Sequence, residues 1–311
     1  MSLFVTSDLK EAAGRFPRAV ATMGTYDGVH LGHQAILSEV LLRARAGGKG
    51  SVVITFDPHP QEVVSPRDAP LLLSSPEEKQ ARIASLGLDS LVVLPFTREL
   101  ADLEPVAFVR DFLWPGLGMD LMVLGQDSKF GKNRKGDVAL LTRLGGELGF
   151  KVVPIPSVLD EGGAISSTRI RKLLIAGEVR KARMLLGRPY TLTGRVIKGK
   201  ERGRSLGFPT ANLEILGERR QLVKEGVYAV QAKLDDKWLN GLISIGVRPT
   251  FHETDLEHEV YLFDFARDLY SEVLEVAFLE RLRDQKAFQD TAALVAQMKA
   301  DEQVARQILS A

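Results

Sequence analysis

Cysteine is absent from the 311 residues of this chain. The absence excludes disulfide bridges, thiolate metal sites and cysteine nucleophiles, and it fits a reducing cytoplasm. Long apolar runs are also missing, since stretches such as SLVVLPF (90–96) are far too short to cross a bilayer. The first residues, MSLFVTSDLKEAAG (1–14), carry acidic residues where a signal peptide has its apolar core. We therefore expect an unprocessed cytoplasmic protein without a membrane-spanning segment.

An excess of charge of either sign is missing as well. Lys and Arg number 41 and Asp and Glu number 40, which leaves a net charge of +1. Nucleic-acid and membrane-surface binders need a strong positive field, so both classes are disfavoured. The expected partners are small molecules, including anionic ones that a local basic patch can bind. The sequence leaves the oligomeric state open.

Strand patterns alternate with amphipathic helix patterns over the first half of the chain. The predicted strands cover 19–24, 51–56, 91–96, 121–125 and 151–156, and the predicted helices cover 33–46, 76–86, 105–113 and 138–148. Such alternation predicts βαβ units and a doubly wound parallel sheet. Sheets of this kind bind ligands at the carboxyl ends of their strands.

The pattern changes after Gly187. Two short helices are predicted over 168–176 and 179–186, and short β-branched runs divided by turn residues follow them. These runs predict an antiparallel barrel or sandwich, which a last helix over about 290–309 is expected to cap. The fold class is therefore α/β followed by β. We expect two domains, residues 1–186 and 187–311.

The segment GTYDGVHLGH (24–33) joins the first predicted strand to its helix. Its glycines permit tight backbone paths, and the helix N-terminus attracts anions. His30 and His33 can donate hydrogen bonds there to a phosphate whose charge grows during reaction. For an isolated H-x-x-H pair, the commoner interpretation is that both histidines are polar residues on a solvated turn. A zinc site is disfavoured because no third ligand follows at a usual spacing.

The segment ISSTRIRKLL (165–174) combines hydroxyl and guanidinium groups at the start of a helix. Its hydroxyls can cap that helix, or they can complete a phosphate cradle with Arg169 and Arg171. On this segment alone both interpretations stay open. The segment GQDSKFGKNRKGD (125–137) follows a predicted strand, and it is equally open between a mobile basic loop and a solvated turn.

Taken together, these segments resemble the nucleotidyltransferase superfamily. Its signatures H-x-G-H and ISSTxxR correspond to HLGH (30–33) and ISSTRIR (165–171). The segment TFDPHP (55–60) narrows the resemblance to the FMN adenylyltransferase module of bacterial bifunctional riboflavin kinase/FAD synthetases. One departure is Ser128, which stands where that module commonly has an aromatic residue.

This resemblance implies a set of site residues. His30, His33 and Arg171 would stabilise the reacting phosphates. The residues implied in binding ATP and FMN are Gly24, Thr25, Asp127, Ser167 and Thr168.

A second candidate site lies in GRVIKGKERGRSLGFPTANL (194–213). Its glycine-spaced basic loop can wrap polyphosphate with backbone N–H groups, through Gly199, Lys200, Gly203 and Arg204. The loop is not a Walker motif. Thr210 and Asn212 offer the hard oxygen ligands that suit Mg²⁺ carried on ATP. The same PTAN segment is also typical of a β-bulge with turn residues.

Phosphorylation of a hydroxyl group needs a base near the acceptor. The candidates in the second half are Glu259, Asp264 and Asp268, and their spacing does not choose between them. An exposed strand acid is the usual interpretation of each. Two histidines in this region, His252 and His258, are expected to be solvated in a polar loop.

The second half resembles the riboflavin kinase module. The corresponding segments occur in the family's order: GRSLGFPTANL (203–213), GVYAV (226–230), IGVRPTF (245–251) and EVYLFDFARDLY (259–270). The resemblance implies that Glu259 is the base, that Thr210 and Asn212 hold Mg²⁺, and that Arg283 lies on the flavin side. The departures from the family are Lys224, Ser244 and Ser271.

The two resemblances cover about residues 15–309 and imply two consecutive reactions. The second half would phosphorylate riboflavin with ATP to give FMN, and the first half would join FMN to ATP to give FAD and pyrophosphate. Three alternatives stay open. Only one half is active, the protein binds flavin or nucleotide without turnover, or the first half uses another substrate such as phosphopantetheine.

Overall fold

The computed structural model describes residues 2–198, 207–217, 219–247 and 256–310. The chain divides into two compact units, Met1–Ser167 and Thr168–Ala311. This division falls before the predicted helices at 168–176 and 179–186. Both helices therefore group with the second unit.

A six-stranded parallel sheet forms the centre of the first unit. Its strands are β1 (Phe4–Thr6), β2 (Val20–Met23), β3 (Ser51–Asp57), β4 (Ser90–Pro95), β5 (Leu121–Gly125) and β6 (Lys151–Ile155). The order is β1-β4-β3-β2-β5-β6, and every neighbouring pair is parallel. From the adjacent strands β2 and β5 the chain proceeds towards opposite edges. This topological switch is where doubly wound sheets bind ligands, and the predicted fold class is confirmed.

Helices cover both faces of this sheet. They are α1 (Leu9–Arg15), α2 (Leu31–Ala46), α3 (Pro60–Val64), α4 (Pro76–Ser85), α5 (Arg98–Ala101), α6 (Pro105–Ala107), a π-helix (Phe108–Leu113), α7 (Trp114–Leu117) and α8 (Val138–Leu148). Leu37 of α2 and Ile83 of α4 are buried in the core on one face. Leu9 of α1, Val109 of the π-helix and Leu141 of α8 are buried in the core on the other face. The first unit also contains a short hairpin, β7 (Leu159–Asp160) and β8 (Gly163–Ala164).

The second unit is a closed antiparallel barrel. Helices α9 (Ser167–Ala176) and α10 (Val179–Leu186) come before its strands, which are β9 (Tyr190–Ile197), β10 (Thr210–Ile215), β11 (Gly226–Leu234), β12 (Lys237–Val247), β13 (Leu256–Leu262) and β14 (Val273–Arg283). The barrel order is β10-β13-β12-β11-β14-β9. The last helix, α11 (Thr291–Leu309), packs Ala305 against Val227 and Leu242 of the barrel. The barrel with a capping helix is therefore confirmed.

An ion pair with little exposure attaches α11 to the end of β14. Arg283 donates from Nη2 to Asp301 Oδ2 at 2.7 Å and from Nε to both carboxylate oxygens at 3.0 and 3.1 Å. Gln297 Nε2 adds a hydrogen bond to Asp301 Oδ1 at 2.8 Å. Asp301 is only 6% exposed. The guanidinium of Arg283 is thus engaged in docking the helix, and its expected place on the flavin side stays a prediction.

His258 lies inside the barrel, so the prediction of a solvated loop is wrong for this residue. It belongs to β13, is 4% exposed, and shares the buried face of the strand with Val260 and Leu262. Its neighbours Glu257 and Glu259 obscured the strand pattern in the sequence. Burial lowers the pKa of His258 to about 4. His252, the other histidine of that prediction, lies outside the described residues.

Breaking the Arg283–Asp301 pair should destabilise the second unit. Asp301→Ala leaves a largely buried guanidinium without its carboxylate, and we expect a loss of about 3 kcal/mol in the free energy of unfolding. In a Trp114→Phe background, Trp238 is the remaining tryptophan, so its fluorescence in urea reports on this unit. Asp236→Ala is the control, because Asp236 forms an exposed pair with Lys233. Equal urea midpoints for the two variants would contradict the proposed docking role.

His258 should make the second unit less stable in mild acid. Between pH 6.5 and 4 the unfolded chain binds a proton at this imidazole that the folded barrel excludes, so stability falls as the pH is lowered. From pH 6.5 to 5 this group lowers the free energy of unfolding by about 1.6 kcal/mol. Urea midpoints at several pH values should therefore fall more steeply for the parent than for His258→Gln. Parallel pH profiles would contradict the assignment.

Candidate active sites

The loop that follows β2 has an unusual backbone. Tyr26, Gly28 and Val29 adopt positive φ angles of 49°, 79° and 39°. For a β-branched residue such as Val29 this conformation costs on the order of 1–3 kcal/mol, so the surroundings must hold it in place. Val29 N donates to Tyr26 O at 3.1 Å, and Gln34 Nε2 donates to Val29 O at 2.8 Å. The loop therefore enters α2 along one defined path.

Asp27 attaches this loop to a distant part of the chain. Its carboxylate is buried and accepts hydrogen bonds from Leu73 N at 2.9 Å and Ser74 N at 3.1 Å. Gly28 N donates to Ser74 Oγ at 3.0 Å. The sequence analysis did not single out Asp27. The available signal was an acidic residue between Tyr26 and Gly28, in a loop whose backbone amides need hydrogen-bond acceptors.

The two predicted histidines lie together at the N-terminus of α2. His30 is the N-cap residue, and its Nδ1 accepts a hydrogen bond from His33 N at 3.3 Å. The rings stack with centroids 3.7 Å apart and planes inclined by 17°. Because Nδ1 of His30 is an acceptor, a neutral His30 carries its proton on Nε2. Both imidazoles thus lie where the helix dipole favours anions.

His33 is held in its neutral form. Burial lowers its pKa well below the ordinary value, and the charges of His30 and Lys79 lower it further. Its Nδ1 is buried without a hydrogen-bond partner in the described part of the chain. The Tyr26 ring meets the imidazole edge-on with centroids 5.2 Å apart. His33 is therefore suited to hydrogen bonding with a phosphate as a neutral imidazole.

The segment predicted to form a phosphate cradle lies against this loop at its first residues. Ser167 Oγ donates to Asp27 O at 2.9 Å. Ile165 O is 3.3 Å from the point where a side chain on Gly32 would begin, so Gly32 has little room for one. Thr168 and Arg171 lie in the first turns of α9. Their contacts with phosphate stay predictions.

The basic segment after β5 is a folded loop. Asp127 is exposed and accepts from Ser157 Oγ at 2.8 Å, whereas Phe130 is buried against Phe108 with centroids 6.1 Å apart. Lys129 pairs with Asp137 at 3.4 Å. Phe130 thus packs in the core, and Asp127 remains accessible at the carboxyl end of β5.

Gly24 and Thr25 directly follow the carboxyl end of β2. Gly24 N donates to Ile54 O at 3.0 Å, and Thr25 O accepts from Thr55 Oγ1 at 3.1 Å. A side chain on Gly24 would meet the Tyr26 ring at 3.1 Å. Both hydrogen bonds attach the start of the histidine loop to the neighbouring strand β3.

Lys79 is a buried cation near the histidine loop that was not predicted from the sequence. It lies in the first turns of α4, and its Nζ approaches Thr55 Oγ1 at 3.5 Å. Burial lowers its pKa, while the carboxylates of Asp27 and Asp57 raise it. The available signal was the four-residue spacing from the buried Ile83, which puts Lys79 on the inward face of the helix.

The second site is a row of polar residues across neighbouring barrel strands. Asn212 of β10 lies directly opposite Glu259 of β13, which in turn lies opposite Ser244 of β12. Thr210 lies opposite Tyr261, two positions along the same strands. Directly opposed residues share one face of a sheet with Cβ atoms about 5 Å apart. The strand register therefore brings Thr210, Asn212 and Glu259 to one face.

The two other candidate bases have different surroundings. Asp264 accepts from Arg306 Nη1 and Nη2 at 2.8 and 2.9 Å, and this bidentate pair lowers its pKa. Asp268 accepts from Tyr270 N at 2.9 Å in a turn. The pairing of Asp264 makes it a poor proton acceptor, which favours Glu259 over it.

A cleft of about 450 Å³ opens beside Thr210 and Asn212 of this row. Its lining includes Lys198, Thr210, Asn212, Leu262, Arg267 and Tyr270. The predicted phosphate-wrapping residues Gly199, Lys200, Gly203 and Arg204 lie outside the described residues. Their segment follows Lys198 directly in the chain.

Each of the two units matches a known protein family. A family described as FAD synthetase matches residues 14–169, and a family described as riboflavin kinase matches residues 186–309. Within the described residues, no helix combines the length and apolarity needed to cross a bilayer.

Curated relatives match nearly the whole chain and carry the name bifunctional riboflavin kinase/FMN adenylyltransferase. The protein of Pseudomonas fluorescens is 39% identical, with 92% of each chain covered. That of Listeria monocytogenes is 38% identical, with 92% of this chain and 91% of the relative covered. That of Escherichia coli K12 is 37% identical, with 93% and 92% covered.

A solved structure is similar over the same extent. It is a Streptococcus pneumoniae protein described as a macrolide-efflux protein, with a TM-score of 0.88 and 32% identity, covering 98% of this chain and 99% of that one. Both family matches and the curated relatives agree along the length of the sequence. The chain belongs to the family of bifunctional riboflavin kinase/FMN adenylyltransferases.

Proposed function

We propose that this chain phosphorylates riboflavin with ATP to give FMN, and then adenylylates FMN with a second ATP to give FAD and pyrophosphate. The observation that carries the proposal is that each unit matches one of the two families and holds a polar site of its own. The expected domain limits, 1–186 and 187–311, are proposed as the limits of the two activities. The absence of cysteine fits the cytoplasm, where we propose that the protein works.

In the kinase step, Glu259 accepts the proton of the ribityl 5′-hydroxyl. The hydroxyl oxygen bonds to the γ-phosphorus of ATP while the bond from that phosphorus to the β-bridging oxygen breaks, and ADP leaves. The opposed strand register of Asn212 and Glu259 supports this role. Gly199, Lys200, Gly203 and Arg204 are proposed to wrap the phosphates.

Thr210 and Asn212 are proposed to hold Mg²⁺. A hydroxyl and an amide carbonyl are hard oxygen ligands that lie on one strand face, so the donor chemistry fits this ion. When bound with ATP, Mg²⁺ neutralises charge on the phosphates. Thr210 and Asn212 also line the cleft, where we propose that the nucleotide binds.

In the adenylylation step, a phosphate oxygen of FMN bonds to the α-phosphorus of ATP. The bond from this phosphorus to the β-phosphate breaks, and pyrophosphate leaves with the electron pair. The FMN phosphate is already ionised at neutral pH, so the step needs no strong base. His30, His33 and Arg171 are proposed to stabilise the phosphates. The residues proposed to bind the nucleotide and FMN are Gly24, Thr25, Asp127, Ser167 and Thr168.

Single substitutions should separate the two activities. His33→Ala should lower kcat for FAD formation from FMN by about 10²-fold, because a donor to the reacting phosphates is lost. FMN formation from riboflavin should stay unchanged. Glu259→Gln should lower FMN formation by about 10²-fold or more and leave FAD formation from added FMN unchanged. Each activity is measured separately by chromatography of the flavins.

Other outcomes would point to the alternatives. If both folded variants lose both activities, the assignment of two separate sites is wrong. If the parent protein makes FMN but never FAD, only the kinase half is active. Tight flavin binding without ATP consumption would identify a binding module without turnover.

A further inference from the structure

We propose that Lys79 is a further catalytic residue of the adenylyltransferase site, where its ammonium group binds the β- and γ-phosphates of ATP and the departing pyrophosphate. This inference rests on the proposed function of the first unit. It assigns a cation that the neutral imidazole of His33 does not supply.

The fold fixes where the Lys79 side chain starts. Ser75 and Glu78 form a reciprocal capping box at the N-terminus of α4, and Pro76 occupies the first turn. Ile83, one turn after Lys79, is fully buried in the core beneath this helix. The lysine stem therefore leaves the helix towards the sheet.

The ammonium group lies at the carboxyl edge of the sheet. Lys79 Nζ is 3.5 Å from Thr55 Oγ1, and this hydroxyl donates to Thr25 O at 3.1 Å in the loop that leads to the histidines. The charge of Lys79 also acts on His33. Lys79 thus belongs to the same polar cluster as the histidine pair.

Lys79 lacks the partner that a buried cation normally has. Among the described residues, no carboxylate lies within 4.0 Å of its Nζ, whereas the largely buried Arg283 pairs closely with Asp301 at 2.7 Å. Asp27 and Asp57 attract Lys79 from a greater distance. Of these, Asp27 already accepts from the amides of Leu73 and Ser74. A mostly buried charge without a close counter-ion is costly, and a bound anion removes that cost.

The reaction supplies an anion of the required kind. When the bond between the α-phosphorus and its bridging oxygen breaks, the electron pair stays with pyrophosphate and its charge increases. A lysine ammonium is a compact donor suited to a polyphosphate, and it acts here without transferring a proton. Stabilisation of this growing charge is worth more in a buried site than in water.

The test compares Lys79→Met, Lys79→Arg and the control Lys10→Met, which removes an exposed lysine of α1. Lys79→Met should lower kcat for FAD formation by about 10²-fold. The inhibition constant of inorganic pyrophosphate should rise by about tenfold or more, while KM for FMN stays unchanged. Lys79→Arg should recover part of both losses, and Lys10→Met should match the parent.

The remaining outcomes separate this inference from the proposed function. A parent protein that makes no FAD from FMN would overturn the proposed function itself. If the parent makes FAD and Lys79→Met has unchanged kcat and pyrophosphate inhibition, only the role of Lys79 is overturned. A lower kcat with unchanged pyrophosphate inhibition would also overturn it and leave Lys79 a structural residue. FMN formation by the same variants checks folding of the second unit, and Lys79→Gln replaces Lys79→Met if the latter does not fold.

Discussion

The buried carboxylate of Asp27 is the contact on which the first site depends. By accepting from the amides of Leu73 and Ser74, it holds the loop after β2 in a backbone path that Tyr26 and Val29 would otherwise avoid. This path sets His30 as the cap of α2 and stacks His33 on it. Hydrogen bonds to the distant segment at Leu73 and Ser74 thereby offset the backbone strain of the loop. As a result, the imidazoles are already oriented in the protein without a ligand.

The second site is oriented by strand register. In the closed barrel, one pairing register sets Asn212 opposite Glu259 and Glu259 opposite Ser244. A shift of one residue would send Glu259 to the interior, where His258 and Val260 are buried. Buried and partly exposed residues alternate along β13, so Glu259 lies on the outer face while His258 and Val260 face the packed core. The Arg283–Asp301 pair then attaches the last helix, whose Ala305 belongs to the same packed cluster as Tyr261 of β13.

Local patterns in the sequence predicted most elements, and long-range contacts account for what was missed. The helix predicted over 76–86 corresponds to α4, and the apolar runs predicted β3, β5 and the parallel sheet. The partners of Asp27 and Arg283 lie 46 and 18 residues away, so no local pattern indicates them. His258 was misjudged because flanking glutamates hide a strand whose alternate residues face opposite sides. The histidine pair was found by its motif, but the lowered pKa of His33 follows from its burial.

The central claim is that one chain carries out two consecutive reactions. The most direct measurement is a time course of the purified protein with riboflavin, ATP and Mg²⁺, with the flavins separated chromatographically. If both sites act in sequence, FMN appears first and FAD follows at its expense. Riboflavin that remains unchanged, together with added FMN that is not converted, would contradict this claim.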